Sequence, residues 1–421
     1  MLTALSLGLM CVSSCIGGEP RGIGPESLEW RAASVGEVPA EQISEAERKA
    51  LMAKAKAITA NDLPGLLERA EKGDVEAQVL VGLAYQRGQG ATKDGAKAMD
   101  WFEKAAAQGH PTALTGMGVL HMTGDGVAKD PALAISLFRK AAEQHYSSAE
   151  VYLGWAYCTG DGATRDAGAA MEWLTKGAKQ GNAFAQNRLG WAYVKGDCTT
   201  KNEAAGLEWF RKAAEQGDAE GLRNVGVSYN LGRGVARDQS EAMRWYEKAA
   251  EAGDATSQYN VGYAYHKGVG VKKDQNLAEK WFAKASEQGD GQATYYLGLM
   301  QWDSEGPGFG AQGAMETLAK AAAQGNPPAA YALGEIHGGF FTTLRARIQR
   351  HPAKACMWFE ISSKLEETSN WNQHFSEAAD GLRRDLKEKI AKTEKKLKPE
   401  EKVSCHEDVE QWLKGHPLPT S

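Results

Sequence analysis

The sequence predicts an all-α fold of eight tandem helical hairpins, each 36 residues long, closed by helical caps, and three observations predict it. The first is a glycine that returns at every 36th position: Gly82, Gly118, Gly154, Gly190, Gly226, Gly262, Gly298 and Gly334. The second is that the same step links Tyr85, Tyr157, Tyr193, Tyr229 and Tyr265. It also links Trp101, Trp173, Trp209, Trp245 and Trp281, and Lys104, Lys140, Lys176, Lys212, Lys248, Lys284 and Lys320. The third is that the periods hold two apolar stretches at helical spacing, separated in most of them by glycine turns.

Composition agrees with a folded chain. The 421 residues are 42% hydrophobic and 24% charged, with 12 Trp and only 13 Pro, enough apolar surface to bury a core. Glycine reaches 48 residues, above the usual share of about 7%, and without a Gly-X-Y period it punctuates structure instead of forming collagen. The net charge of −5 is spread along the chain, which excludes a bulk electrostatic footprint for nucleic acid or an anionic membrane. No apolar run reaches the length of about 18 residues that a spanning helix needs.

Residues 1–15 read as a secretory signal: Leu2 to Val12 is an uncharged apolar stretch, followed by Ser13, Ser14 and Cys15. Val12-Ser13-Ser14-Cys15 resembles the lipobox of bacterial lipoproteins, which implies diacylation of Cys15; the departure is an n-region without Lys or Arg. Residues 16–40, rich in Gly and Pro at their start, read as a flexible tether. Residues 41–74 form an N-terminal helical cap, with LPGLLERAEKGD as a half-unit.

The repeats occupy residues 75–370. In the first unit Ala77, Val81, Ala84 and Tyr85 mark one face of helix A, and Gly88-Gln89-Gly90 ends it. Asp94 stands at a helix N-cap, where its carboxylate accepts from free backbone N–H groups; Asp130, Asp166, Asp238 and Asp274 repeat it. Helix B follows, with Ala98, Trp101, Phe102, Ala105 and Ala106 as its apolar stripe, Lys104 near its negative end and Gly109 as its left-handed stop. Gly82 lies in mid-helix, where glycine costs up to ~1 kcal/mol relative to Ala. Its use is expected to be steric, with helix B crossing closely at Ala98 and its equivalents Ala134, Ala170, Ala242 and Ala278.

AQVLVGLAYQRGQGATKDGAKAMDWFEKAAAQG and SQYNVGYAYHKGVGVKKDQNLAEKWFAKASEQG resemble the Sel-one-like repeat (SLR), a tetratricopeptide-related helical hairpin. The resemblance covers roughly residues 75 to 365. It implies a right-handed α-solenoid whose concave surface binds proteins or peptides, often as a non-catalytic adaptor of bacterial envelopes. Departures mark the end of the array: Trp302-Asp303-Ser304-Glu305 replaces the glycine turn of the seventh unit, and Thr317 stands in place of Trp. Five extra residues enter the eighth unit around a basic, aromatic loop with Arg345, Arg347 and Arg350. Residues 371–421 read as a C-terminal cap of two or three amphipathic helices.

Six cysteines are present. With Cys11 removed in the signal and Cys15 lipidated, an even set of four remains, which suits an oxidising compartment. Cys158 ends helix A of the third unit and Cys198 lies one period plus four residues on, at a turn, so stacked units bring them together as a disulfide. Cys356 and Cys405 are expected to tie the last hairpin to the cap in the same way. No Cys-x-x-Cys and no Cys/His cluster at zinc spacing exists, so no metal site is expected.

Catalytic constellations are missing from the sequence. The Gly-x-Gly turns lack the preceding strand and following Gly-Lys-Ser/Thr of a phosphate loop. Some cysteine-rich relatives resemble weak β-lactamases, yet there is no Ser-x-x-Lys; the nearest is Thr317-Leu-Ala-Lys320. The Lys series reads as solvated charge at helix C-termini. The chain is therefore read as no enzyme, with no cofactor.

Binding is expected where the repeat varies. On helix A the positions equivalent to 79, 83 and 86 form a second stripe, which in related solenoids lines the concave side. Trp155, Asn187, Trp191, Arg223, Asn230, Tyr259, Tyr263, His266, Tyr295 and Trp302 lie on it. Flat aromatics beside Arg and Asn suit an extended peptide. The reading is a lipid-anchored scaffold of the cell envelope for an unidentified protein or peptide. The alternatives are a binder of peptidoglycan or its stem peptides, and a weak amide or lactam hydrolase.

Overall fold

Helix caps set the hairpin boundaries. A computed structural model describes residues 43–303, 310–339, 350–368 and 376–417, with side chains from 381 in the last segment. Every regular element among them is helical, 20 helices in all. Two helices come first, α1 (Glu45–Ala57) and α2 (Leu63–Glu71). The hairpins follow: α3 (Val75–Arg87) with α4 (Gly95–Ala106), α5 (Pro111–Thr123) with α6 (Pro131–Glu143), α7 (Ser147–Thr159) with α8 (Ala167–Lys179), and α9 (Ala183–Lys195) with α10 (Glu203–Glu215). Then come α11 (Ala219–Leu231) with α12 (Gln239–Glu251), α13 (Ala255–Lys267) with α14 (Gln275–Glu287), α15 (Gly291–Asp303) with α16 (Ala311–Ala323), and α17 (Pro327–Gly338) with α18 (Pro352–Thr368). The last helices are α19 (Ser376–Glu394) and α20 (Pro399–Gly415). The tandem hairpins make an α-solenoid.

The described chain forms two compact units, 43–228 with 232–236, and 229–231 with 237–417. The signal, the tether, Cys15, Arg345 and Arg347 lie outside the described residues.

Five of the second helices start on the expected acid. Asp94, Asp130, Asp166 and Asp274 each accept from the backbone N–H three residues on, and Asp238 accepts from Ser240 and Glu241. Asn202 fills the same slot in the fourth hairpin, accepting from Ala205. The Gly-x-Gly turns are needed for their backbone: Gly88, Gly90, Gly124, Gly126, Gly160, Gly162, Gly232, Gly234, Gly268 and Gly270 all have φ between 68° and 87°, a region that side chains with a Cβ rarely enter.

Mid-helix glycine is steric, but the partner differs from the one expected. A Cβ on Gly82 would lie 2.5 Å from the Phe102 ring, and Phe210 stands in the same relation to Gly190. Phe138, Phe282 and Phe359 fill the space over Gly118, Gly262 and Gly334, and Leu174 and Leu318 that over Gly154 and Gly298. The ring on the helix B stripe, and not the alanine four residues earlier, occupies the gap; Phe102, Phe138, Phe210, Phe282 and Phe359 are all fully buried.

First and second helices differ in burial. On α4 the buried residues follow one stripe, including Ala98, Met99, Trp101, Phe102, Ala105 and Ala106. On α3 every residue from Ala77 to Ala84 is buried. The cause is packing: α3 touches α1, α2, α4 and α5, whereas α4 lies against α3 and α5. A helix covered on several sides leaves little of its second stripe in solvent.

The lysine series also has a partner. Lys104 Nζ lies 3.7 Å from the Trp101 ring centroid, and Lys176, Lys212, Lys248 and Lys284 lie 4.6, 4.0, 4.4 and 4.2 Å from Trp173, Trp209, Trp245 and Trp281. The spacing of three residues puts each ammonium over the flat face of its tryptophan.

Candidate functional site

The expected binding stripe divides into two sets. Asn187, Trp191, Asn230, Tyr259 and Tyr263 are buried, none more than 7% exposed. Trp155, Arg223, His266, Tyr295 and Trp302 are half-buried and reach the surface. The reason is the several-sided packing of the first helices. Trp191 stands edge-on to Phe210, with centroids 5.3 Å apart, and its Nε1 has no hydrogen-bond partner among the described residues. Tyr259 and Tyr263 pack with Phe282 and Tyr296, whose rings stack at 5.3 Å. Tyr259, Tyr263, Phe282 and Tyr296 belong to one core cluster of the second unit.

Asn187 is a structural link. Its Nδ2 donates to Asp218 Oδ1 at 2.7 Å and its Oδ1 accepts from Asn224 Nδ2 at 3.2 Å. Asp218 in turn caps α11 by accepting from Gly221 N–H at 2.8 Å. The amide thus joins one first helix to the start of the next.

A glutamine ladder recurs beside it. Gln78, Gln186 and Gln258 each donate to a backbone carbonyl eight residues earlier and accept from Gln108, Gln216 and Gln288. Glu150 takes the ladder position in the third hairpin. It is fully buried, accepts from Gln180 Nε2 at 2.6 Å and lies 3.5 Å from Lys176 Nζ. Burial, opposed by the Lys176 charge, pushes its pKa up to about 7.

An open cleft of about 520 Å³ lies in the unit of residues 237–417, between α16, α17, α18 and α20. Met315, Leu333, Met357, Trp358 and Trp412 line its apolar part, and Glu316, His337, Lys354 and Asp408 supply charge and polarity. Trp412 stands edge-on to Trp358 at 6.0 Å and stacks on His416 at 4.5 Å. Burial, with Lys354 and His351 nearby, lowers the His337 pKa to about 4, so its imidazole is neutral at pH 7. Sequence reasoning missed this cleft, because its walls come from the last repeats and the cap together. The signal in the sequence was the replaced turn after Trp302 and the five extra residues between Gly334 and Trp358.

The four described cysteines stand as two pairs in disulfide geometry, with Cα atoms 5.3 Å apart for Cys158 and Cys198 and 6.0 Å for Cys356 and Cys405. Beside the second pair lie Glu360, Glu394 and His406. Among the described residues no helix is long and apolar enough to cross a membrane.

Known proteins carry the same repeat. A family model described as Sel1 repeat matches residues 75–110, 111–146, 147–182, 183–218, 219–254 and 255–290. Among solved structures, c5321, a protective antigen of uropathogenic Escherichia coli strains displaying an SLR fold, is 26% identical, with 87% of this chain and 94% of that one covered and a TM-score of 0.42. A Sel1 repeat protein from Oxalobacter formigenes is 30% identical over 54% of this chain and 93% of that one, with a TM-score of 0.47. The immunity protein Pa5087 from Pseudomonas aeruginosa is 21% identical over 52% and 82%, with a TM-score of 0.42. No curated protein matches the chain. The six consecutive repeats span just over half of the sequence, and the chain belongs to the Sel1 repeat family, whose members generally act as non-catalytic scaffolds for protein interaction.

Proposed function

We propose that this protein is a scaffold of the bacterial cell envelope, anchored by lipid at Cys15, that binds a protein or peptide through side chains left at the surface of its first helices. The observation that carries the reading is the division of the stripe. Part of it is sealed in the interior, as Asn187, Trp191, Asn230, Tyr259 and Tyr263 are, and part keeps surface in water: Trp155 and Arg223 in one unit, His266, Tyr295 and Trp302 in the other. Large aromatics that keep part of their surface in water, on a frame of capped helices, favour recognition over catalysis. The cleft lined by Met315, Met357, Trp358 and Trp412 adds adaptable apolar surface in the second unit. Two cysteine pairs in bonding geometry suit an oxidising compartment.

The test is cross-linking and capture of partners from the native envelope, with wild type, Trp155→Ala/Arg223→Ala and Tyr295→Ala/Trp302→Ala compared after their folding is verified. A partner lost by either double variant and kept by the other assigns the surface to one unit. Equal capture by all three proteins overturns the stripe, and capture of cell-wall sacculi in place of a protein overturns the choice of partner. Cys15→Ser should move the protein from the detergent phase to the aqueous phase.

A further inference from the structure

We propose that Cys356, Glu360, Cys405 and His406 bind one zinc ion when the two cysteines are thiols, so that this cluster holds metal in its reduced state and closes as a disulfide when oxidised. The residues come from two helices. Cys356 and Glu360 are one turn apart on the same face of α18, and Cys405 and His406 are consecutive on α20. Glu360 Oε1 lies 3.8 Å from each sulfur and 3.1 Å from His406 Nδ1. Tetrahedral zinc, with bonds of about 2.0–2.3 Å, separates its ligand atoms by about 3.3–3.8 Å, close to the distances from Glu360 Oε1 to its neighbours; His406 groups with Glu360 and Glu394 and not with the sulfurs, so its exposed imidazole must turn toward them as the ion binds.

The chemistry of the donors fits the ion. Thiolate, carboxylate and imidazole are each ligand types that zinc takes. Cys356 and Cys405 are 1% and 0% exposed, whereas the side chains of Glu360 and His406 are 17% and 60% exposed. The sulfurs are thus kept from solvent and the imidazole side is open for entry.

Reduction requires a dithiol donor, which gives two electrons and two protons to the Cys356–Cys405 bond and becomes a disulfide itself. Both thiols lose their protons as they bind, so zinc uptake releases two protons and the site carries a net charge of −1. The sulfurs must part to about 3.7 Å, a side-chain rotation that the 6.0 Å separation of the Cα atoms accommodates. Glu394, which groups with Glu360 and His406, offers a rival set of oxygen and nitrogen donors that needs no thiol.

Cobalt and zinc titrations of the full chain carrying Cys11→Ser and Cys15→Ser distinguish these. Reduced with a phosphine under anaerobic conditions, the protein should take one equivalent of cobalt with a thiolate-to-metal charge-transfer band, which zinc displaces. Oxidised protein should bind at least 100-fold more weakly. Glu360→Gln and His406→Ala, checked for helix content, should each weaken binding about tenfold or more, and Cys158→Ser/Cys198→Ser should leave it unchanged. Absence of the band in folded, reduced protein, its survival in Cys356→Ser, or equal affinity before and after reduction overturns the proposal, the last in favour of the Glu360–Glu394–His406 set.

Discussion

Phe102 occupies the place that a side chain on Gly82 would take, with its ring 2.5 Å from an ideal Cβ there. The same relation returns from hairpin to hairpin, a mid-helix glycine under a ring or leucine from the second helix. Gly82→Ala should therefore overpack and destabilise by roughly 1–3 kcal/mol. Gly313, inside α16, meets nothing within 4 Å, so Gly313→Ala should instead stabilise by up to ~1 kcal/mol. Thermal melts of the two variants check both signs, and a Gly82→Ala protein that melts with wild type would show that the ring moves aside freely.

Asn187 is expected to serve stability. Replacing it with Leu removes the acceptor of Asn224, in a buried bond, and the donor to Asp218, in a part-buried one. The cost should be about 1–3 kcal/mol, measured by urea unfolding. A neutral result would return Asn187 to the residues that serve a ligand.

Glu150 makes stability depend on pH. Its unfolded pKa is near the ordinary 4.5 and its folded pKa is about 7, so between these values the folded protein holds a proton that the unfolded chain has lost. Stability from this group is full below about 4.5, falls as pH rises and is gone above about 7. Glu150→Gln restores the residue of the ladder, as in Gln78 and Gln186. It should gain roughly 1–3 kcal/mol over wild type at pH 8 and much less at pH 5. Melting curves at the two pH values would contradict this if the gain were the same.

His145 has φ 58° at the position where Gly109, Gly181, Gly217 and Gly253 stand, with φ between 75° and 96° across these glycine equivalents. The left-handed backbone costs a residue with a Cβ about 1 kcal/mol. His145→Gly should raise stability by about that amount, since the His145 side chain is exposed. An unchanged or lower melting temperature would mean that the imidazole makes a compensating contact.

Cys158 and Cys198, 40 residues apart in sequence, should resist alkylation in denatured, non-reduced protein. Their bond closes a long loop of the unfolded chain and should contribute about 2–4 kcal/mol. Peptide mapping that finds either residue alkylated before reduction would show free thiols and remove this support for an oxidising compartment.

Hairpin limits, caps and turns were legible because they are short-range chemistry. An N-cap carboxylate such as Asp94 acts on an N–H three residues away, and Gly88 and Gly90 are required by backbone angles at their own positions. The apolar stripe of the second helices was legible for the same reason. Its members repeat at helical spacing and face one way.

The candidate site was legible only in part. Trp155 and Trp191 occupy equivalent places on successive first helices, yet one is half-buried and the other 5% exposed. The sequence spacing is identical, and the difference comes from what packs against each.

By itself the sequence determined the repeat, its 36-residue length, the residues that begin and end each helix, and which cysteines come near one another. Only the tertiary structure decided that Phe102 and not Ala98 presses on Gly82, that the lysines lie over tryptophans, and that Glu360 and His406 gather beside Cys356 and Cys405. The physical reason is range. Capping and periodicity act within a few residues, whereas burial and side-chain partnership depend on helices brought together from distant parts of the chain, and their faces are chosen by that packing.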